Sequence, residues 1–173
     1  MKLKIIIGLM VLVVLVGLVL TWTSGPILNS NPTPVATTTP ITPETMTIKV
    51  FFGNHRNDPQ SLYCERAYPA LREVTKTVAS ARAALTELLA GPTETERAQG
   101  FFTALNSGVA LQSLMIKDGV ATVDFSSRLG EGVGGSCLVT AIRAQIGETL
   151  KQFSTVDSVV IAINGRSEDV LQP

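Results

Sequence analysis

Histidine occurs once in this sequence, as His55, and cysteine twice, as Cys64 and Cys137. A single imidazole with scattered carboxylates such as Asp58 and Glu65 falls short of the ligand set of a zinc site. No metal and no cofactor is therefore expected. A basic cluster is missing too. Lys plus Arg and Asp plus Glu number 14 each, and from Met46 onward, without Lys2, Lys4 and Glu44, twelve basic face thirteen acidic residues. Nucleic-acid binding draws most of its affinity from neutralised phosphates, so the scattered single charges exclude nucleic acid as a partner. Gly130, Gly132, Gly134 and Gly135 precede Ser136, but the spacing fits neither the phosphate-loop nor the dinucleotide fingerprint and contains no lysine. There is no internal repeat.

What the chain has in quantity is hydrophobicity at its start. Ile5 to Trp22 is an 18-residue run without a charge, which at about 1.5 Å per residue crosses most of a hydrocarbon core of about 30 Å. Lys2 and Lys4 precede it and no basic residue follows until Lys49, so the charge bias orients the N-terminus to the cytoplasm. The exit, Thr21-Trp22-Thr23-Ser24-Gly25-Pro26, is a poor cleavage site and lacks a cysteine for lipid attachment. Five prolines between Pro26 and Pro43, among Thr, Ser and Asn, mark a spacer. The expected organisation is a cytoplasmic start at 1–4, a transmembrane signal-anchor helix at 5–22, a Pro/Thr-rich linker at 23–45, and an extracytoplasmic domain at 46–173. The expected localisation is thus the cell membrane, single-pass.

From Met46 the pattern becomes that of a packed domain. Met46, Ile48, Val50 and Phe52 alternate as on a half-buried strand, and Leu62 to Val74 supplies a second strand broken near Pro69. Val78, Ala81, Leu85, Leu88 and Leu89 recur at helical spacing before Gly91-Pro92. Asp118-Gly119 reads as a two-residue hairpin turn, which pairs Ile116 with Ala121, Leu114 with Val123 and Gln112 with Phe125. Ser136 opens a second helix with a stripe of Leu138, Ile142, Ile146, Leu150 and Phe153. Val159 to Ile163 is apolar on both faces, as in a central strand. The expected fold is α+β: one small mixed or antiparallel sheet, order β-β-α-β-β-α-β, with both amphipathic helices on one face.

Several blocks in this order resemble the GerMN domain, a module of sporulation and germination proteins. They are Ala84-Leu85 through Leu88-Leu89-Ala90-Gly91-Pro92-Thr93 with Glu96, then Gly100 and Thr103; Gly119-Val120-Ala121-Thr122-Val123-Asp124; Gly135-Ser136-Cys137; and Ile142-Arg143-Ala144-Gln145-Ile146 with Thr149-Leu150, Phe153, Val156 and Asn164-Gly165. The resemblance covers about Met46 to Pro173. Asn106 departs from it, standing where the family often has proline. The resemblance implies a non-catalytic module of bacterial envelopes used in protein assembly.

Each candidate site has a plainer reading. Cys64 and Cys137, both in the part expected to be exported, are suited to a disulfide; two buried thiols, or a nucleophilic Cys137 with His55 as base, are the alternatives. Glu94 with Glu96, and Glu168 with Asp169, are carboxylate pairs of the kind that cleave glycans, but close spacing on polar segments fits solvated charges. Phe51, Phe101 and Phe102 suggest an exposed patch for a partner. The leading expectation is a membrane-anchored interaction or scaffold module without a catalytic site, its partner an envelope protein, a second copy or peptidoglycan. A peptidoglycan hydrolase using Ser136 or a carboxylate pair is one alternative, and a binder of a small anionic or glycan ligand at the 130–136 loop is the other.

Overall fold

The computed structural model describes residues 43–172. Strand β1 (Thr45–Asn54) is followed by β2 (Tyr68–Thr75), helix α1 (Ser80–Ala90), the short helix α2 (Glu94–Ala98) and the two-residue strand β3 (Phe101–Phe102). Strands β4 (Leu111–Lys117) and β5 (Val120–Phe125) come next. A 3-10 turn (Ser127–Leu129), helix α3 (Ser136–Lys151) and strand β6 (Ser158–Ile163) complete the domain.

The α+β class holds, but the expected single sheet does not form. There are two three-stranded sheets, ordered β2-β1-β3 and β4-β5-β6. Strand β1 is central in the first and buries Ile48, Val50 and Phe52, as its alternation requires. Pro69 is accommodated because β2 is an edge strand, where it pairs with Phe51. The hairpin turns at Asp118 (φ 50°) and Gly119 (φ 79°), a backbone that suits an Asp-Gly turn. Ile116 pairs with Ala121 and Leu114 with Val123, but the ladder then slips between Leu111 and Ser113. Phe125 thus faces Leu111, not Gln112. A bulge of this kind leaves one residue unpaired.

Strand β6 runs parallel to β5 at the sheet edge, so its apolar run does not mark a central strand. The parallel pairing needs a crossover, and α3 provides it. The outer row of this sheet, Met115 beside Thr122 beside Val160, leaves Met115 and Val160 exposed.

Both longer helices pack on β1, and α3 also reaches β6, so one core joins the two sheets. Helix α3 buries Val139, Ile142, Gln145, Ile146, Thr149 and Leu150. The expected stripe is thereby turned by one residue at its start, where Val139 is buried and Leu138 exposed. Val78 lies outside α1 and is fully exposed. Asn106 donates through Nδ2 to the carbonyls of Arg128 and Glu131, both at 2.8 Å, so a side chain ties down this turn.

The expected spanning run 5–22, and the linker up to residue 42, lie outside the described residues. The single-pass membrane localisation is corrected: among the described residues no helix is long and apolar enough to cross a membrane. The longest, α3, has 16 residues and carries Arg143, Glu148 and Lys151, so it is both short of a bilayer core and half polar.

Candidate functional site

A cavity of ≈ 630 Å³ opens between the end of β1, the loop before β2, and the start of α3. Each wall follows from a local constraint. The β1–β2 loop is folded on Asp58, whose two carboxylate oxygens accept the backbone N–H groups of Leu62 (3.1 Å) and Tyr63 (3.0 Å). Cys64 is joined to Cys137 in a disulfide with Cα atoms 5.2 Å apart, which ties this loop to the first turn of α3. The geometry thus brings together two residues 73 positions apart in sequence. It leaves no free cysteine among the described residues, and no thiolate nucleophile remains.

Phe102 forms the floor because Gly53, its partner across the β1–β3 pair, has no side chain. A Cβ at residue 53 would clash with the Cζ end of the Phe102 ring, about 2.6 Å from both Cε atoms. The ring also stacks on His55, centroids 4.2 Å apart and planes 16° apart. At the rim the Arg66 guanidinium lies 3.7 Å from the centre of the Tyr63 ring, a cation–π contact. Leu138 and Ala141 contribute apolar wall from α3.

Gln145 sits at the inner end of the cavity and is 1% exposed. Its Oε1 accepts from Ala104 N (3.1 Å) and from the Thr103 hydroxyl (3.3 Å). The available signal was a polar residue between Ile142 and Ile146 on a buried helical stripe, which always requires a partner. Arg66, Tyr63 and Tyr68, also at the cavity, carried no sequence signal, since an aromatic or an arginine in a loop is ordinary.

Of the expected site residues, His55, Asp58 and Ser136 all line this cavity. They do not form a relay. No hydrogen bond joins any two of them, the Asp58 carboxylate is engaged by the loop, and His55 is stacked on Phe102. Glu65 does not join them, and among the described residues no group of three His, Cys, Asp or Glu is placed to hold a metal.

The carboxylate pairs separate as well. Glu96 belongs to a structural network: its carboxylate takes Arg72 Nε at 3.1 Å and Nη2 at 2.5 Å, and Thr93 N at 2.7 Å in a capping box. Burial pushes the Glu96 carboxyl up, but the Arg72 hydrogen bond, the Thr93 N–H and the Arg72 charge together hold it below the ordinary glutamate value. Burial likewise pulls Arg72 down, and Glu96 and Glu87 more than reverse this. Glu94, Glu168 and Asp169 are exposed. Phe51, Phe101 and Phe102 do not form one exposed patch: all three are half-buried, and Phe101 packs against the core.

The fold and this site define a small two-sheet α+β module with an apolar-walled cavity closed by a disulfide. The chain belongs to the family described as Germane, sporulation and spore germination, whose model matches residues 49–169. Two solved structures share the fold. The tandem GerMN domains of the sporulation protein GerM from Bacillus subtilis superpose with a TM-score of 0.55 at 23% identity, over 72% of this chain and 41% of theirs. The first GerMN domain of the same protein gives 0.51 at 24% identity, over 70% of this chain and 85% of its own length. The chain thus spans about two fifths of the tandem structure. No curated protein matches it significantly.

Proposed function

We propose that this chain is a non-catalytic interaction module of the bacterial cell envelope, of the sporulation and germination type. It receives part of its binding partner in the cavity between the β1–β2 loop and α3. The carrying observation is that cavity: ≈ 630 Å³, walled by Phe102, Leu138, Ala141 and the disulfide. Ser136, His55 and Asp58 share it without forming an acid–base relay. Concave, mostly apolar sites with a few polar groups are where proteins take ligands, while nucleophilic catalysis by Ser136 would require a base and an orienting group in mutual reach. Membership in a sporulation and germination family supports the same reading.

The test places a photo-crosslinking residue at Leu138, on the cavity, or at Val78, exposed elsewhere, in the intact chain in its native cells. A defined adduct at 138 and none at 78 is expected. Equal labelling at both positions would sink the proposal. Purified peptidoglycan incubated with the same chain should release no fragments, and release would favour the hydrolase reading.

A second reading, self-association, rests on the outer row of Met115, Thr122 and Val160, which leaves two large apolar side chains exposed on either side of Thr122 on one sheet face. Sedimentation of the wild type against Val160→Lys separates it: a dimer lost in the variant would support it.

A further inference from the structure

We propose that the cavity binds a free carboxylate at the end of a peptide, held by the side-chain amide of Gln145 and the uncapped N-terminus of α3. The inference rests on the interaction reading above and names the chemistry of the group bound.

The decisive group is Gln145. The side chain is almost wholly buried, and its oxygen is fixed as an acceptor by Ala104 N and the Thr103 hydroxyl. That assignment forces the NH2 to the other side. Among the described residues nothing accepts from it, although it is not sealed from solvent. A cavity-lining primary amide whose oxygen is satisfied and whose NH2 is left open is a donor available to a bound acceptor.

A second set of donors opens into the same space. Helix α3 has 16 residues and begins at Ser136, and its N-cap is Gly135, which has no side chain to cap it. The first backbone N–H to find a helical partner is that of Val139, bonded to Gly135 O. The N–H groups of Ser136, Cys137 and Leu138 are left without one, at the positive end of the helix dipole. Ser136, Cys137 and Leu138 all line the cavity. Arg66, also at the rim and in no ion pair among the described residues, adds a full positive charge.

The one acidic residue lining the cavity, Asp58, has both oxygens turned to its own loop. Donors of three kinds, with the one lining carboxylate bonded to its own loop, favour an anion. The apolar walls and the Phe102–His55 stack beside them select one carried on an organic body. A terminal carboxylate with an apolar last side chain meets both conditions, and backbone amides at a helix N-terminus suit its capture. Two sources share this chemistry: the C-terminus of an L-peptide, and a D-alanyl peptide stem.

The test uses the oxidised chain and follows the Gln145 side-chain NH2 and the Ser136–Leu138 amides by nitrogen-15 NMR. Acetyl-L-alanyl-L-phenylalanine and acetyl-D-alanyl-D-alanine are titrated as free acids and as C-terminal amides. The acid of at least one source should shift these signals, and its amide should bind about tenfold more weakly or worse, because a hydrogen bond to a charged group is lost.

Gln145→Glu keeps the acceptor for Ala104 N but replaces the donor with a like charge. It should abolish binding while the remaining spectrum shows a folded domain. Arg66→Gln, an exposed change that leaves the fold intact, should weaken binding several-fold. Equal binding of acid and amide, or no shift with any of the four compounds, overturns the inference. Crosslinking confined to Leu138 in the same circumstances would show that the interaction reading survives without it.

Discussion

Arg72 on strand β2 grips Glu96 on helix α2 through two parallel contacts, Nε to Oε1 at 3.1 Å and Nη2 to Oε2 at 2.5 Å. Its Nη1 reaches Glu87 Oε2 at 2.8 Å and the Glu87 carbonyl, while Nη2 also donates to the Gly91 carbonyl. One guanidinium thus ties the edge strand to the end of α1 and the start of α2. The Arg72 side chain is 9% exposed and that of Glu96 12%, so the pair is screened much less than a surface bridge.

Arg72→Ala should therefore destabilise the domain by on the order of 3 kcal/mol, because it leaves two carboxylates and two carbonyls without their donor. Glu96→Gln, which keeps shape and one acceptor, should cost about 1 to 2 kcal/mol. Urea denaturation of the two variants beside wild type measures both. Equal, negligible losses would mean that the network contributes nothing to stability.

The same pair sets an acid limit. The folded-state pKa of Glu96 lies below its unfolded value, so its contribution is fully present above the ordinary glutamate range. It is lost as pH falls through the folded-state value. Arg72, raised from an already high value, stays charged throughout. Urea midpoints should fall below about pH 4.5 in the wild type, with a shallower fall in Glu96→Gln. Parallel pH profiles would assign the acid sensitivity to other groups.

Removing the Cys64–Cys137 bridge should cost roughly 4 kcal/mol, since it closes a loop spanning 73 positions and the chain-entropy estimate grows with loop length. That is a large share of the roughly 5 to 15 kcal/mol typical of a domain. Cys64→Ala with Cys137→Ala should lower Tm markedly, and the unreduced, denatured wild type should show no titratable thiol. Two reactive thiols would refute the bridge.

Gly53→Ala should destabilise by about 1 to 3 kcal/mol, because the new methyl group has no room beside the Phe102 ring and overpacking of this kind displaces neighbours. The ring also carries His55. The variant should therefore shift the His55 imidazole signals in NMR, and an unchanged His55 spectrum with wild-type stability would contradict the stacking.

Much of the fold was legible because its signals are local. The alternation of Ile48, Val50 and Phe52, the Asp118-Gly119 turn and the break at Gly91-Pro92 each depend on a few neighbouring residues and the backbone they favour, and each element stands where those signals put it. Pairing beyond the turn was less secure. Nothing in Leu111-Gln112-Ser113 announces the slip that sets Leu111 opposite Phe125, since a bulge is decided by the partner strand.

The sequence by itself determined the α+β class, the inward residues of β1, the two amphipathic helices and the two cysteines available to pair, because period, turn chemistry and composition are properties of the chain. Tertiary structure alone decided that the strands divide into two sheets, that β6 takes an edge, and that α3 turns Val139 inward in place of Leu138. It also decided that Gln145 meets Ala104 and Thr103 at the end of a cavity floored by Phe102. These outcomes depend on which surfaces meet across some forty residues or more of intervening chain, a choice made by the packing of one shared core and not by any segment on its own.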